Sequence, residues 1–286
     1  MFFQKILFSW TLLLFIFQSL SAVPLLEQLK QEGYLEIREI IHENSAFDSL
    51  YDYFDECVAY LQKHPKWFQK LYIAKERFIR TQDRNNYSSD FFGLYDESER
   101  EERRQISFYY SIHFHEFICT HFPEFSQVSP INNFLEACRE IHQPYVNVFI
   151  DVATKLDLDT IFLPLNQPPV LLKVIKYLPS YVATRPHYDG TAFSLFVHGT
   201  DDRSLLFSPY KSSFSQHDFS FPIKGFSDPK SLVIIPGALL TEFFIYPTPH
   251  IVAESGTTRY ATIAFAMRPN YTPQKFEFPL LPNFKD

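Results

Sequence analysis

A His-x-Asp pair, His187-Tyr188-Asp189, lies in the second half of the chain, just before the apolar run 192–199. On an extended segment alternate side chains share a face, so this spacing aims one imidazole and one carboxylate at a common point. A lone His-x-Asp is frequent by chance, and the surroundings are what make this one informative. His250 opens another strand-like run farther on, and Arg259 opens the next. Two histidines and a carboxylate on one face of a metal leave the other face open. That suits Fe(II) that must bind O2 together with a chelating cosubstrate. An arginine inside an apolar barrel is unfavourable unless it meets an anion, and a guanidinium can hold a carboxylate through two parallel hydrogen bonds. His187, Asp189 and His250 are therefore the candidate ligands, and Arg259 the candidate carboxylate anchor.

Other histidines carry less. His113 and His115 would share a face of a strand, but no third ligand is near in sequence, and they read as structural or surface groups. His198 reads as a core or rim residue. His217-Asp218 has the wrong spacing for one strand face, lies in a Ser-rich stretch, and reads as a bystander.

The elements that must position these groups change character near residue 160. Before it, the pattern is mainly helical. Residues 24–33 end at Gly33, a natural helix stop, and 33–40 alternate like a strand. A long helical pattern over 46–81 breaks at His64-Pro65, and 129–156, opened by Ser129-Pro130, carries one apolar face at helical spacing. The charged run 94–106 reads as a solvated helix face or loop. After residue 160 come short apolar runs at 171–178, 192–199, 203–208, 231–236, 239–246, 250–254 and 259–267, separated by turns. Many short strands predict an antiparallel sandwich or barrel. The fold class is thus α+β, a jelly-roll core with a mainly helical N-terminal layer. The divisions are a signal-like segment 1–22, a helical region 23–160 and a jelly-roll region 161–286.

In order, these segments resemble the isopenicillin N synthase-like 2-oxoglutarate/Fe(II) dioxygenases over residues 24–269. KVIKYLPS (173–180) is similar to the strand before the metal motif, and HYDGTAFSLFVHG (187–199) to the metal-binding strand pair. PGALLTEFF (236–244) is similar to the glycine turn and following strand, and PHIVAESGTTRYATIAFAMRP (249–269) to the pair bearing the second histidine and the arginine. The resemblance implies a double-stranded β-helix in which His187, Asp189 and His250 bind Fe(II). It implies that Arg259, helped by Tyr177, binds the distal carboxylate of 2-oxoglutarate, and that a small-molecule substrate is hydroxylated, desaturated or cyclised with O2. The chain departs from the family at Ala261, where Ser or Thr is usual. The hydroxyl is then missing, or Thr258 or Thr262 supplies it.

The composition fits such a barrel. Of 286 residues 46% are hydrophobic and 32 are Phe, enough to fill a large aromatic core. Net charge is −7 with no Lys/Arg stripe, which argues against a nucleic-acid partner. Three cysteines, Cys57, Cys119 and Cys138, have no metal-binding spacing and read as buried apolar thiols. Lys5, the apolar run 6–17 and the small residues at 19, 21 and 22 have the layout of a secretory signal, which predicts export. Contact with a membrane would come only through that segment left uncleaved. Export motivates an alternative, a barrel that binds a ligand but has lost turnover.

Overall fold

The computed structural model describes residues 25–38, 41–100, 104–163, 165, 167–180, 183–184, 186–201, 205–208, 219–220 and 232–269. The signal-like segment 1–22 and His217-Asp218 lie outside them. Helix α1 (Leu25–Glu32) stops at Gly33, whose φ of 76° a side-chain-bearing residue rarely adopts, and β1 (Leu35–Ile37) follows. Helices α2 (Asn44–Lys63) and α3 (Pro65–Phe78) meet at His64-Pro65, where the proline opens the second helix. Strands β2 (Gly93–Asp96) and β3 (Gln105–Tyr110) form a hairpin, followed by α4 (Ile112–His121) and the long α5 (Ser129–Lys155). Then come β4 (Val170–Tyr177), β5 (Phe193–Gly199), β6 (Leu205–Phe207), β7 (Leu232–Pro236), β8 (His250–Val252) and β9 (Arg259–Ala266).

The strands build two sheets. The larger has the order β1-β7-β5-β9-β4-β3-β2, and the smaller pairs β6 with β8. Isolated bridges widen the smaller sheet on both sides. Ser180 pairs with Ser255 and His187 with His250 beyond β8, and Phe207 pairs with Ser220 beyond β6. From β4 onward the chain therefore crosses repeatedly between sheets, which is the winding of a double-stranded β-helix. The sheets face each other through β5. The Phe196 ring lies 4.9 Å from Phe207 and 5.8 Å from the His250 ring.

The outer face of the large sheet is covered by helices. Phe108 of β3 packs on Phe134 of α5 at 5.0 Å, and Tyr260 of β9 stacks on Tyr51 of α2 at 4.9 Å. The Tyr51 hydroxyl hydrogen-bonds with His198 Nδ1 at 3.0 Å and Thr262 Oγ1 at 3.1 Å, and Phe47 stacks flat on the His198 ring. His198 is thus a core histidine, and burial holds its pKa below the usual value. Among the described residues no helix is long and apolar enough to cross a membrane.

The charged run 94–106 is a loop, as one of its two readings had it, and not a helix: its described residues from Glu97 turn between β2 and β3, whose ends it overlaps. Three local expectations need correction. His113 and His115 sit on a helix, because Ser111 caps it by accepting a hydrogen bond from Phe114 N at 3.1 Å. Their rings bond to Tyr87 and Tyr110 hydroxyls, a structural role. The run 239–246 is no strand. The N–H groups of Gly237, Ala238 and Leu239 donate to the carbonyls of Ala192, Asp189 and Thr191, and three successive donors used this way leave no ladder. The chain instead forms a short 3-10 turn, Ala238–Phe243. All three cysteines are free, but Cys119 is exposed on α4 and only Cys57 and Cys138 are buried.

Candidate metal centre

His250 opens β8 and turns inward toward β5. Its backbone N–H and C=O are both bonded to His187, at 2.8 and 3.1 Å, which brings the two rings to 4.2 Å between centroids. Only His187 of the His-x-Asp motif is in a bridge. Tyr188 and Asp189 leave the ladder, because the Asp189 carbonyl accepts from Ala238 N at 2.8 Å. The expected alternation along one strand is therefore not what joins the pair; the turn after β7 does. One ligand atom from each of His187, Asp189 and His250 lies within 4.8 Å of the others, a donor set of two imidazoles and one carboxylate. Such a set fits a divalent transition metal on one open face.

The groups behind the ligands hold them in a binding state. The Thr248 carbonyl lies 3.3 Å from His250 Nδ1. A carbonyl only accepts, so it favours the tautomer with Nδ1–H and leaves the Nε2 lone pair for a metal. His250 Nε2 is 3.9 Å from Asp189 Oδ2. That oxygen also accepts a 2.6 Å hydrogen bond from the fully buried Ser194 hydroxyl, which in turn lies 3.0 Å from Thr191 Oγ1. Gly237 lets this loop approach: a Cβ there would stand 2.2 Å from the Thr191 carbonyl oxygen.

Arg259 opens β9, the strand of the large sheet that follows β8 of the small one. Tyr260 and Thr262 face the helices, so Arg259, Ala261 and Ile263 face the barrel interior. The Arg259 side chain is 6% exposed and reaches the small sheet, where Nη1 donates to Glu254 O at 3.5 Å and Nη2 to Ala253 O. Its cross-strand neighbour is Tyr177, with the guanidinium 5.4 Å from the ring. Burial lowers the Arg259 pKa, and its Nε is buried with no hydrogen-bond partner. An orphaned N–H on a buried cation is a place for an acceptor. Neither threonine replaces the hydroxyl absent at Ala261, since Thr258 is exposed and Thr262 is bonded to Tyr51 on the helical side.

No family model and no curated protein sequence matches the chain. Solved structures do. Dioxygenase for auxin oxidation 1 from Arabidopsis thaliana, a 2-oxoglutarate binary complex, aligns over 85% of this chain and 86% of its own, at TM-score 0.55 and 17% identity. The dioxygenase for auxin oxidation of rice aligns over 86% and 76%, at TM-score 0.52 and 11% identity. JOX2 in complex with 2OG, Fe and JA aligns over 85% and 70%, at TM-score 0.50 and 14% identity. The chain has the fold of these dioxygenases. Of the five residues singled out in the sequence, His187, Asp189 and His250 come together at one point, and Tyr177 and Arg259 at another. Sequence reasoning missed Ser194 as the group that holds Asp189, although its place five residues after the aspartate was plain. It also missed Asp201, whose Oδ2 lies 3.7 Å from Arg259 Nη1.

Proposed function

We propose that the chain is a non-haem Fe(II), 2-oxoglutarate-dependent oxygenase that hydroxylates, desaturates or cyclises a small molecule. The observation that carries this reading is the convergence of His187, Asp189 and His250 inside a barrel that also holds a buried arginine. Bound iron would supply activation of O2, coupled to oxidative decarboxylation of 2-oxoglutarate to succinate. The chain's own residues do the rest. His187, Asp189 and His250 hold the metal and leave one face open. Ser194 fixes the Asp189 carboxylate, and the Thr248 carbonyl fixes the His250 tautomer. Arg259, with Tyr177 beside it, orients the distal carboxylate of the cosubstrate. Phe196 and Phe207 form an apolar wall next to His250 that limits water. A neighbour of the same fold with JA bound supports a small-molecule substrate class.

The test is succinate formation from 2-oxoglutarate by Fe(II)-loaded protein in the presence of O2. Turnover is expected in the wild type and loss of at least about a hundredfold in Asp189→Ala, since a ligand is removed. Equal, metal-independent rates in both would overturn the reading. We also propose that segment 1–22 directs export and is cleaved, its composition being the support; N-terminal sequencing of the mature chain tests the cleavage, and an intact Met1 would refute it.

A further inference from the structure

Asp201 follows the end of β5 and is fastened beside β9. The Thr200 N–H donates to Tyr260 O at 3.0 Å, and the Tyr260 N–H donates to Thr200 Oγ1 at 2.9 Å. These two bonds clip the turn after β5 onto the first residues of β9. The Asp201 carboxylate is thereby placed 3.7 Å from Arg259 Nη1, half-buried against a nearly inaccessible guanidinium. The remaining terminal donors of Arg259 point to the carbonyls of Ala253 and Glu254, leaving Nε as its one buried unpartnered nitrogen. The anchor therefore carries a carboxylate of its own, beside Nη1. Ala261 offers no hydroxyl to share the load, so the Arg259 charge, with Tyr177 beside it, is what attracts the cosubstrate's carboxylate.

We infer that Asp201 is a built-in competitor for Arg259 and sets how tightly the cosubstrate carboxylate binds. The inference rests on the reading of Arg259 as the cosubstrate anchor. With Asp201 in place, the incoming dianion meets an ion pair and must displace or share one partner. Without that charge it meets a guanidinium with no competing carboxylate at Nη1. A neutral isostere at 201 therefore tightens 2-oxoglutarate binding. A residue that only oriented Arg259 would do the reverse, because its loss would leave the guanidinium misplaced.

The experiment is calorimetric titration of 2-oxoglutarate into anaerobic, Fe(II)-loaded full-length protein, comparing the wild type with Asp201→Asn and Asp201→Ser. Each variant is expected to bind about tenfold tighter, the scale of a partly buried ion pair. The Fe(II) affinity, measured separately, is expected to be unchanged, which also reports an intact barrel. Equal or weaker binding by both variants, alongside a wild type that binds 2-oxoglutarate, overturns this inference and leaves the functional reading standing. Absence of binding in all three proteins, with iron bound, overturns both.

Discussion

Removal of the Ser194 hydroxyl is expected to loosen the metal site while the barrel stays folded. That hydroxyl donates to Asp189 Oδ2 at 2.6 Å, and Ser194 is fully buried, so water does not replace it. A hydrogen bond to an ionised carboxylate contributes about 1.5–3 kcal/mol. Without it, Asp189 must be ordered by the metal itself, and that ordering is subtracted from binding. The loss converts to roughly 10- to 100-fold in affinity, the range seen when groups behind a ligand are removed. Thr191 also loses a neighbour at 3.0 Å, but its own position is secured by the bond from Leu239 N to its carbonyl, so the loop keeps its path. The assay is anaerobic competition for Fe(II) or Co(II) against a chromophoric chelator, comparing wild type, Ser194→Ala and Ser194→Thr. The threonine variant retains a hydroxyl on the same atom and is expected to recover most of the affinity. An alanine variant with wild-type circular dichroism and metal affinity within about twofold of wild type would refute the reasoning.

Two further outcomes follow from the same geometry. His142 lies between α5 and β4 with Nε2 3.0 Å from the Val170 carbonyl, and burial pulls its pKa down from 6.5 to about 4. The folded chain therefore binds fewer protons than the unfolded one between those values. The stability involved is fully present above about pH 6.5 and is lost as pH falls through about 4, an amount of about 3 kcal/mol. His115 and His198, also lowered by burial, act in the same direction. Urea midpoints measured from neutral to mildly acidic pH should fall, and His142→Gln should flatten the profile; an unchanged slope would contradict the assignment. Gly237→Ala places a Cβ 2.2 Å from the Thr191 carbonyl oxygen and 2.5 Å from its Oγ1. The turn must move and take the 189–192 loop with it, at a cost of about 1–3 kcal/mol. A lower melting temperature together with weaker metal binding checks this, whereas a lower melting temperature alone would separate the turn from the site.

Groups of the same type, spaced by the fold's own period, were legible in the sequence. The α2–α3 break at His64-Pro65, the Gly33 stop, α5 and most strands of the barrel follow from local rules. So do the three metal-site residues, because each opens or adjoins a strand-like run. What was hidden is what tertiary contact decides. The Asp189 side chain is aimed by backbone bonds from the turn after β7, nearly fifty residues away, and not by strand alternation. The same bonds turn 239–246, strand-like by composition, into a 3-10 turn. The charged tip of 94–106 concealed a hairpin, since apolar β3 is held by its partners β2 and β4 whatever the turn contains. Asp201 could not be found from spacing at all. It reaches Arg259 only because β5 and β9 are neighbours in the large sheet.

The most direct measurement is an anaerobic titration of 2-oxoglutarate into the Fe(II)-loaded chain, followed by the visible charge-transfer absorption that forms when the cosubstrate chelates iron. The account predicts that the band appears in the wild type, is lost in His187→Ala and Asp189→Ala because the iron is lost, and is strongly weakened in Arg259→Ala while iron still binds. Iron bound by the wild type without the band, or a band indifferent to Arg259, would contradict it.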